Sequence, residues 1–235
     1  MQFNNQYADW KSWSGSFRCT PTDAATFDGE FAAFSFQGLR VLEVGFGDGR
    51  FLAWASDKGA RCSGCELIPK MVELGSALGF DVRLGKVEEV FVPAQDRFDL
   101  IVALDVLEHL PLDEVPSLLM FLKSLLDREG QMLFRVPNGE SPFGLAAQNG
   151  DLTHVSVHSR GRFGQLAMST GLCLREARNA YRLVQPDAGW WGRRDRVRYW
   201  VRSCIEGLLG FAYGHAGRPM DPNLVVVLCH SKSDS

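Results

Sequence analysis

Hydrophobic positions along this chain alternate between two rhythms, short continuous apolar runs and longer stretches with apolar residues three and four apart. Val41, Leu42 and Val44 read as a buried strand, and an apolar helical run begins at Phe51 and stops at residue 58, before Gly59. Residues 61–65 form the next strand. Pro69 opens a helix through Met71, Val72, Leu74 and Leu78, and Gly79 closes it. Residues 80–84 and 98–104 read as further strands, the second continuous enough to be buried on both faces. A helix over 113–126 presents Leu118, Leu119, Leu122 and Leu125 on one side, Gly130 breaks it, and a fifth strand over 131–136 stops at Pro137. Strands alternating with helices predict right-handed crossovers and a mostly parallel sheet that holds its ligand at the strand carboxyl ends.

The two ends depart from this rhythm. Residues 1–37 carry Tyr7, Trp10, Trp13, Phe17, Phe27, Phe31, Phe34 and Phe36, too many rings to face water. A helical cap on the sheet edge is expected there, with Thr22 or Asp23 capping a helix that runs to Phe34. A second use of the segment is to close over the ligand pocket. Residues 138–158 have no period and read as a long loop. A helix over 159–170 then stops at Gly171, and strands over 172–177 and 224–229 make a hairpin. Residues 38–235 are thus expected to be one α/β domain, with an insertion at about 184–222.

Composition narrows the function classes. A chain of 235 residues with 46% hydrophobic content supports one sizeable core. Its 25 basic against 28 acidic side chains give a net charge of −3, so no global field recruits nucleic acid, and no nucleic-acid partner is expected. No apolar run is long enough to span a bilayer and the amino terminus has no signal-like core, so a cytoplasmic location is expected. Cys19, Cys62, Cys65, Cys173, Cys204 and Cys229 are scattered, as reduced thiols are. Cys62 and Cys65 lie three apart in a strand and point to opposite faces, and with no second pair they make no zinc site.

Candidate chemistry centres on Glu43-Val-Gly45-Phe46-Gly47-Asp-Gly49. Three alternate glycines describe a backbone folded closely under a ligand, and the helix that follows offers free N–H groups. Glu43 is an acid among apolar residues and calls for a cationic or backbone partner. Glu66, at the tip of the second strand beside Leu67, stands where it could take two ribose hydroxyls. This spacing is not the Gly-x-Gly-x-x-Gly of dinucleotide sites, which disfavours a nicotinamide dehydrogenase.

The glycine turn with both acids resembles motif I of class I S-adenosylmethionine-dependent methyltransferases. The resemblance implies a Rossmann-like fold with a mostly parallel seven-stranded sheet, a C-terminal β-hairpin and helices on both faces. It implies S-adenosylmethionine as cofactor, its methionine part on the glycine turn and its ribose on Glu66. Lys86 and Val87 would line the adenine pocket, and Asp105 and Val106 would flank the methyl donor. Val-Pro-Asn at 136–138, Ser-Pro-Phe at 141–143 and Asp-x-Thr-His at 151–154 are similar to bacterial methyltransferases of surface-polysaccharide sugars, and less closely to ubiquinone-pathway O-methyltransferases.

An alcohol acceptor must lose its proton as its oxygen attacks, which suits a histidine oriented by an acid. His154 with Asp151 is the first choice for that base, followed by His158 and His109. A metal is not expected, because Asp105 and Asn138 lack a third carboxylate. The expected function is O-methylation of a sugar hydroxyl in a polysaccharide precursor. Its alternatives are a small-molecule or quinone-precursor O-methyltransferase and a non-catalytic cofactor-binding protein. The insertion, with Trp190, Trp191, Tyr199, Trp200, Phe211, Tyr213 and five arginines, suits a glycan or lipid-linked sugar, a membrane surface, a protein partner contacting Trp190 to Arg202, or plain packing on the sheet.

Overall fold

The computed structural model describes residues 16–183, 189–214 and 217–231; Tyr7, Trp10 and Trp13 lie outside them, as do the side chains of Trp190 and Trp191. In chain order the elements are α1 (Pro21–Glu30), β1 (Arg40–Val44), α2 (Arg50–Asp57), β2 (Arg61–Glu66), α3 (Pro69–Ala77), β3 (Asp81–Leu84) and α4 (Val87–Val90). They continue with β4 (Phe98–Leu104), a 3-10 turn (Leu107–His109), α5 (Val115–Leu125), β5 (Leu126–Pro137) and α6 (Leu145–Asn149). The last are α7 (Arg160–Thr170), β6 (Leu172–Asn179), α8 (Gly189–Ala212) and β7 (Asn223–His230).

The seven strands form one sheet in the order β3-β2-β1-β4-β5-β7-β6. β1 pairs in parallel with β2 and β4, β2 with β3, and β4 with β5. β7 is antiparallel to both β5 and β6. The fold is the expected Rossmann-like one with its carboxyl-terminal hairpin. From β1 the chain moves outward to β2 and β3, then returns to lay β4 on the other side. That reversal opens a crevice at the carboxyl ends of β1 and β4, where open α/β sheets take ligands.

Strand alternation sorts the core onto two faces. Leu42, Val44, Ile101, Ala103, Met132, Phe134, Val226 and Leu228 share one cluster with Leu118, Leu119, Leu122 and Leu125 of α5 and Phe163 of α7. Val41, Leu100, Val102, Leu133, Val225 and Val227 point the other way, against Phe51 and Trp54 of α2 and Phe31 and Phe36 of the amino-terminal segment. That segment therefore covers the face of the central strands rather than the sheet edge. Phe31, 2% exposed, stacks within ring distances of 4.9 Å of Phe51 and 5.6 Å of Trp54. Phe31→Ala is expected to cost about 3–5 kcal/mol in denaturant unfolding, the range for a buried aromatic; a loss below about 1 kcal/mol would place the segment outside the core.

Local boundaries differ from the sequence expectation for identifiable reasons. The cap of α1 is Thr20, whose hydroxyl accepts from the Asp23 N–H at 3.1 Å while Asp23 accepts from the Thr20 N–H at 3.0 Å. Asp23 is thus the return partner of a capping box, and Pro21 takes the first helical position. The helix ends at Glu30, before Phe34, because Phe31, Phe34 and Phe36 turn in to pack. α5 stops at Leu125, and β5 starts at once because Leu126 pairs with Phe98 across a register irregularity. α7 matches its expected span closely, capped by Ser159 and ended by Gly171 at φ 66°.

Candidate active site

The bend after β1 is built as the glycines require. Gly45, Gly47 and Gly49 have φ of 67°, 55° and 73°, a region closed to most side chains. A Cβ on Gly45 would lie 2.8 Å from a Val106 methyl, so the β4 tip packs directly on the bend. A Cβ on Gly49 would strike the Phe17 ring, whose backbone N–H donates to the Asp48 carbonyl at 2.6 Å. Phe17 and Asp105 are the non-glycine residues with positive φ among those described, at 56° and 59°, and both border this crevice. Such strain is retained where surrounding contacts impose it, commonly at functional sites.

Both acids of the motif are held at the bend. One Glu66 oxygen accepts from the Gly47 N–H at 3.0 Å, and the other from the N–H groups of Leu67 and Ile68 at 2.6 and 3.2 Å. A carboxylate has about four acceptor sites, so Glu66 keeps about one for a ribose hydroxyl and spends the rest tying β2 to the bend. Burial pushes its carboxyl above the ordinary range, against those three donors. Glu43 is 3% exposed and accepts from the Leu52 backbone. Its other oxygen has no hydrogen-bond partner among the described residues, and burial, then Asp48 and Glu66, push its carboxyl well above the ordinary range. A buried acceptor left over beside a bare backbone bend suits a ligand carrying donors and positive charge, as S-adenosylmethionine does.

The remaining cofactor candidates divide. Phe46 is 3% exposed and packs on Leu52, Ile68 and Met71 under the bend, and Val87 is 2% exposed in the core. Neither side chain lines a pocket, because their apolar surface is already buried. Lys86 and Leu67 are exposed at the same end of the sheet. Asp105 accepts from Arg135 Nε at 3.1 Å and pairs again with the same guanidinium, which locks β4 to β5. Asn138 is 1% exposed, and its side-chain amide donates to the carbonyls of Pro219 and Asp221 at 3.0 and 3.1 Å. These two are structural ties and offer no cation site. Burial pushes the Cys62 and Cys65 thiols up to about 12, so both are protonated at neutral pH.

The three candidate histidines separate into one cluster and one core residue. The loop after α6 is sewn to the 3-10 turn by the Val155 and Ser156 N–H groups, which donate to the Glu108 carbonyl at 2.8 and 3.1 Å. This places His154 against His109, with ring centroids 4.8 Å apart and edge to face. His154 Nδ1 lies 3.0 Å from the Gln148 carbonyl. A carbonyl only accepts, so Nδ1 carries a hydrogen and is the donor of this bond. Nε2 is 3.9 Å from both Glu108 Oε1 and Asp151 Oδ2. Asp151 Oδ1 accepts from Thr153 N–H and Oγ1 at 2.9 and 2.6 Å, and Thr153 Oγ1 lies 2.9 Å from His109 Nδ1. Asp151 therefore closes a turn and faces His154 at once.

Glu108 is fully buried, and Gln148 joins the cluster without having been singled out in the sequence. Its signal there was slight, since a backbone carbonyl on a five-residue helix has no sequence signature. One ligand atom each from Glu108, His109 and His154 lie within 4.8 Å of one another, a set able to hold a cation.

His158 lies elsewhere. It is 0% exposed, its Nε2 is 2.9 Å from Ser156 Oγ, and its ring packs 5.6 Å from Phe163. Burial lowers its pKa, so the unfolded chain binds its proton more tightly than the folded one. Stability from this residue is complete above the unfolded value of about 6.5 and is lost as pH falls through it. The thermal midpoint should drop between pH 8 and pH 5.5, and His158→Gln should flatten that dependence; an unchanged slope would assign it to other groups.

Comparison with known proteins agrees with this geometry. Residues 24–185 match the family model of a methyltransferase domain, more than half of the chain. The chain belongs to this family of S-adenosylmethionine-dependent class I methyltransferases. Among curated relatives, a stretch of 83 residues is 30% identical to the ubiquinone biosynthesis O-methyltransferase of Xylella fastidiosa (strain M23), covering 33% of this chain and 34% of that one. A stretch of 127 residues is 28% identical to the enzyme of that name from Cereibacter sphaeroides (strain KD131 / KCTC 12085), covering 46% and 51%. The match thus spans about a third to a half of these relatives. In solved structures, a SAM-dependent methyltransferase from Archaeoglobus fulgidus superposes with a TM-score of 0.64 at 16% identity, over 95% of this chain and 98% of that one. Magnesium protoporphyrin IX methyltransferase from Synechocystis PCC 6803, with bound SAH, gives 0.59 at 15% identity over 97% and 96%.

Proposed function

We propose that this chain is an S-adenosylmethionine-dependent O-methyltransferase and that the imidazole–carboxylate cluster of His154, Glu108 and Asp151 receives the proton of the acceptor hydroxyl. The observation that carries the reading is the seat of His154, its Nδ1 tied to the Gln148 carbonyl and its Nε2 turned toward two carboxylates, one strand from the glycine bend. Adjacent parallel strands lie about 4.8 Å apart, so the β4 tip that bears the cluster directly neighbours the β1 tip. Bound S-adenosylmethionine would supply an electrophilic methyl on sulfur, with its methionine part on Gly45, Gly47 and Gly49 and its ribose on Glu66. The chain's own task is then to hold the acceptor oxygen in line and to take its proton. The Gln148 carbonyl keeps Nδ1 protonated and the ring oriented. Glu108 and Asp151 stabilise the positive charge that arrives at Nε2.

For the acceptor, the structure offers an apolar cavity of about 440 Å³ beside the loop after β5. It is lined by Phe143, Val197, Val201, Ile205 and Pro222, with Arg198 and Arg202 at its rim. Such a lining suits an acceptor with an apolar arm. That favours a quinone precursor over a free sugar, in keeping with the ubiquinone biosynthesis named for the relatives above. The sugar of a lipid-linked polysaccharide precursor is the second reading, since it also carries an apolar tail. Methyl transfer from radiolabelled cofactor to a prenylated catechol and to lipid-linked sugars separates the two, and activity on neither would remove both.

A further inference from the structure

α8 is amphipathic in the inverse sense to a helix that packs on a core. Trp200, Cys204, Leu208 and Phe211 follow one another at helical spacing, and at about 100° per residue they make one stripe. That stripe points away from the protein. Trp200 is 67% exposed, Leu208 68% and Phe211 86%. The polar side faces inward instead: Arg202 and Arg182 pair with Glu206 at 3.3 and 2.6 Å, and Arg202 reaches Asp221 at 3.2 Å. The helix is thus fastened to the body by charges while its apolar surface is left in water.

What covers such a stripe is decided by its borders. Exposed Arg196 lies along one margin and exposed Arg198 along the other, with exposed Arg193 at the amino-terminal end of the stripe, whereas the acids of the helix, Asp195 and Glu206, sit on the opposite side. An apolar strip between cationic margins complements anionic headgroups over acyl chains. A two-fold contact with a second copy would set these arginines against themselves.

We propose that α8 lies in the interface of an anionic lipid bilayer, with Leu208 and Phe211 entering the acyl boundary and its marginal arginines among the headgroups. None of the described helices is long and apolar enough to cross a membrane, so the contact is parallel to the surface. The proposal does not depend on which acceptor the enzyme methylates.

Sedimentation of the full chain with vesicles tests it. Binding is expected with phosphatidylcholine mixed with phosphatidylglycerol and should be much weaker with phosphatidylcholine alone. Added salt should weaken it as the arginine contribution is screened. The double variant Leu208→Ser/Phe211→Ser should lose roughly tenfold or more in vesicle affinity, while its thermal midpoint and cofactor affinity stay those of the parent. Arg196→Glu/Arg198→Glu should abolish the preference for anionic lipid. Absence of binding to mixed vesicles at low salt would overturn the proposal, as would full binding by the serine variant. So would self-association or RNA binding through the helix in a chain that ignores vesicles.

Discussion

Gly47→Val is expected to abolish measurable S-adenosylmethionine binding, raising the calorimetric Kd by roughly 100-fold or more, about 2.7 kcal/mol. Two effects combine. Gly47 sits at φ 55°, where a β-branched residue costs about 1–3 kcal/mol, so the variant must shift the backbone to relieve the strain. That shift breaks the bond from the Gly47 N–H to Glu66, and the carboxylate then loses the position from which a ribose could be held. The sheet itself is untouched, because the bend lies beyond the last paired residue of β1, so far-ultraviolet dichroism should be that of the parent. Unchanged affinity in a folded variant would show that the cofactor seat lies elsewhere.

His154→Ala should lower kcat by about 10²–10³ and leave cofactor affinity alone, the range for removal of a general base. Glu108→Gln should act in the same direction, since a neutral amide no longer supports charge at Nε2. His158 is the internal contrast: its replacement moves stability with pH and should spare the chemical step if the acceptor meets His154. Dialysis against a chelator divides the proposal further. Activity that survives leaves the cluster as a proton acceptor. Loss restored by a divalent cation would reassign Glu108, His109 and His154 to metal binding and remove His154 as the base.

The cofactor half was legible in the residues because its demands are local. Glycine at alternate positions before a helix, with acids at two strand tips, states a backbone shape and its polar partners within about two dozen positions. The alternating strands and helices gave the sheet for the same reason. Much of the second half was not legible. Asp151, Thr153 and His154 were noticed in a loop, yet their meeting with Glu108 and His109 is made by backbone bonds across more than forty positions, which leave no period. The inward direction of the Phe46 and Val87 side chains was not legible either, because a motif marks positions without saying which way each side chain points. The capping role of Thr20 was passed over for its neighbours, although Pro21 and Asp23 were both there to indicate it. In the insertion, the aromatic and arginine content was visible, but its inside-out arrangement depends on Asp221 and Arg182, which come from outside the helix.

The strand order carries a consequence for how this chain is made. β7 is the last described strand in sequence, yet it is an interior one, wedged between β5 and β6 and hydrogen-bonded to both. During synthesis the edge of β5 has no neighbour until residues 223–230 leave the ribosome. Leu133 and Phe134, fully buried in the finished fold, stand on that open strand until then. The nascent protein must carry a sticky, half-closed sheet from the completion of β5 until β7 emerges, which is the situation in which holding chaperones are engaged.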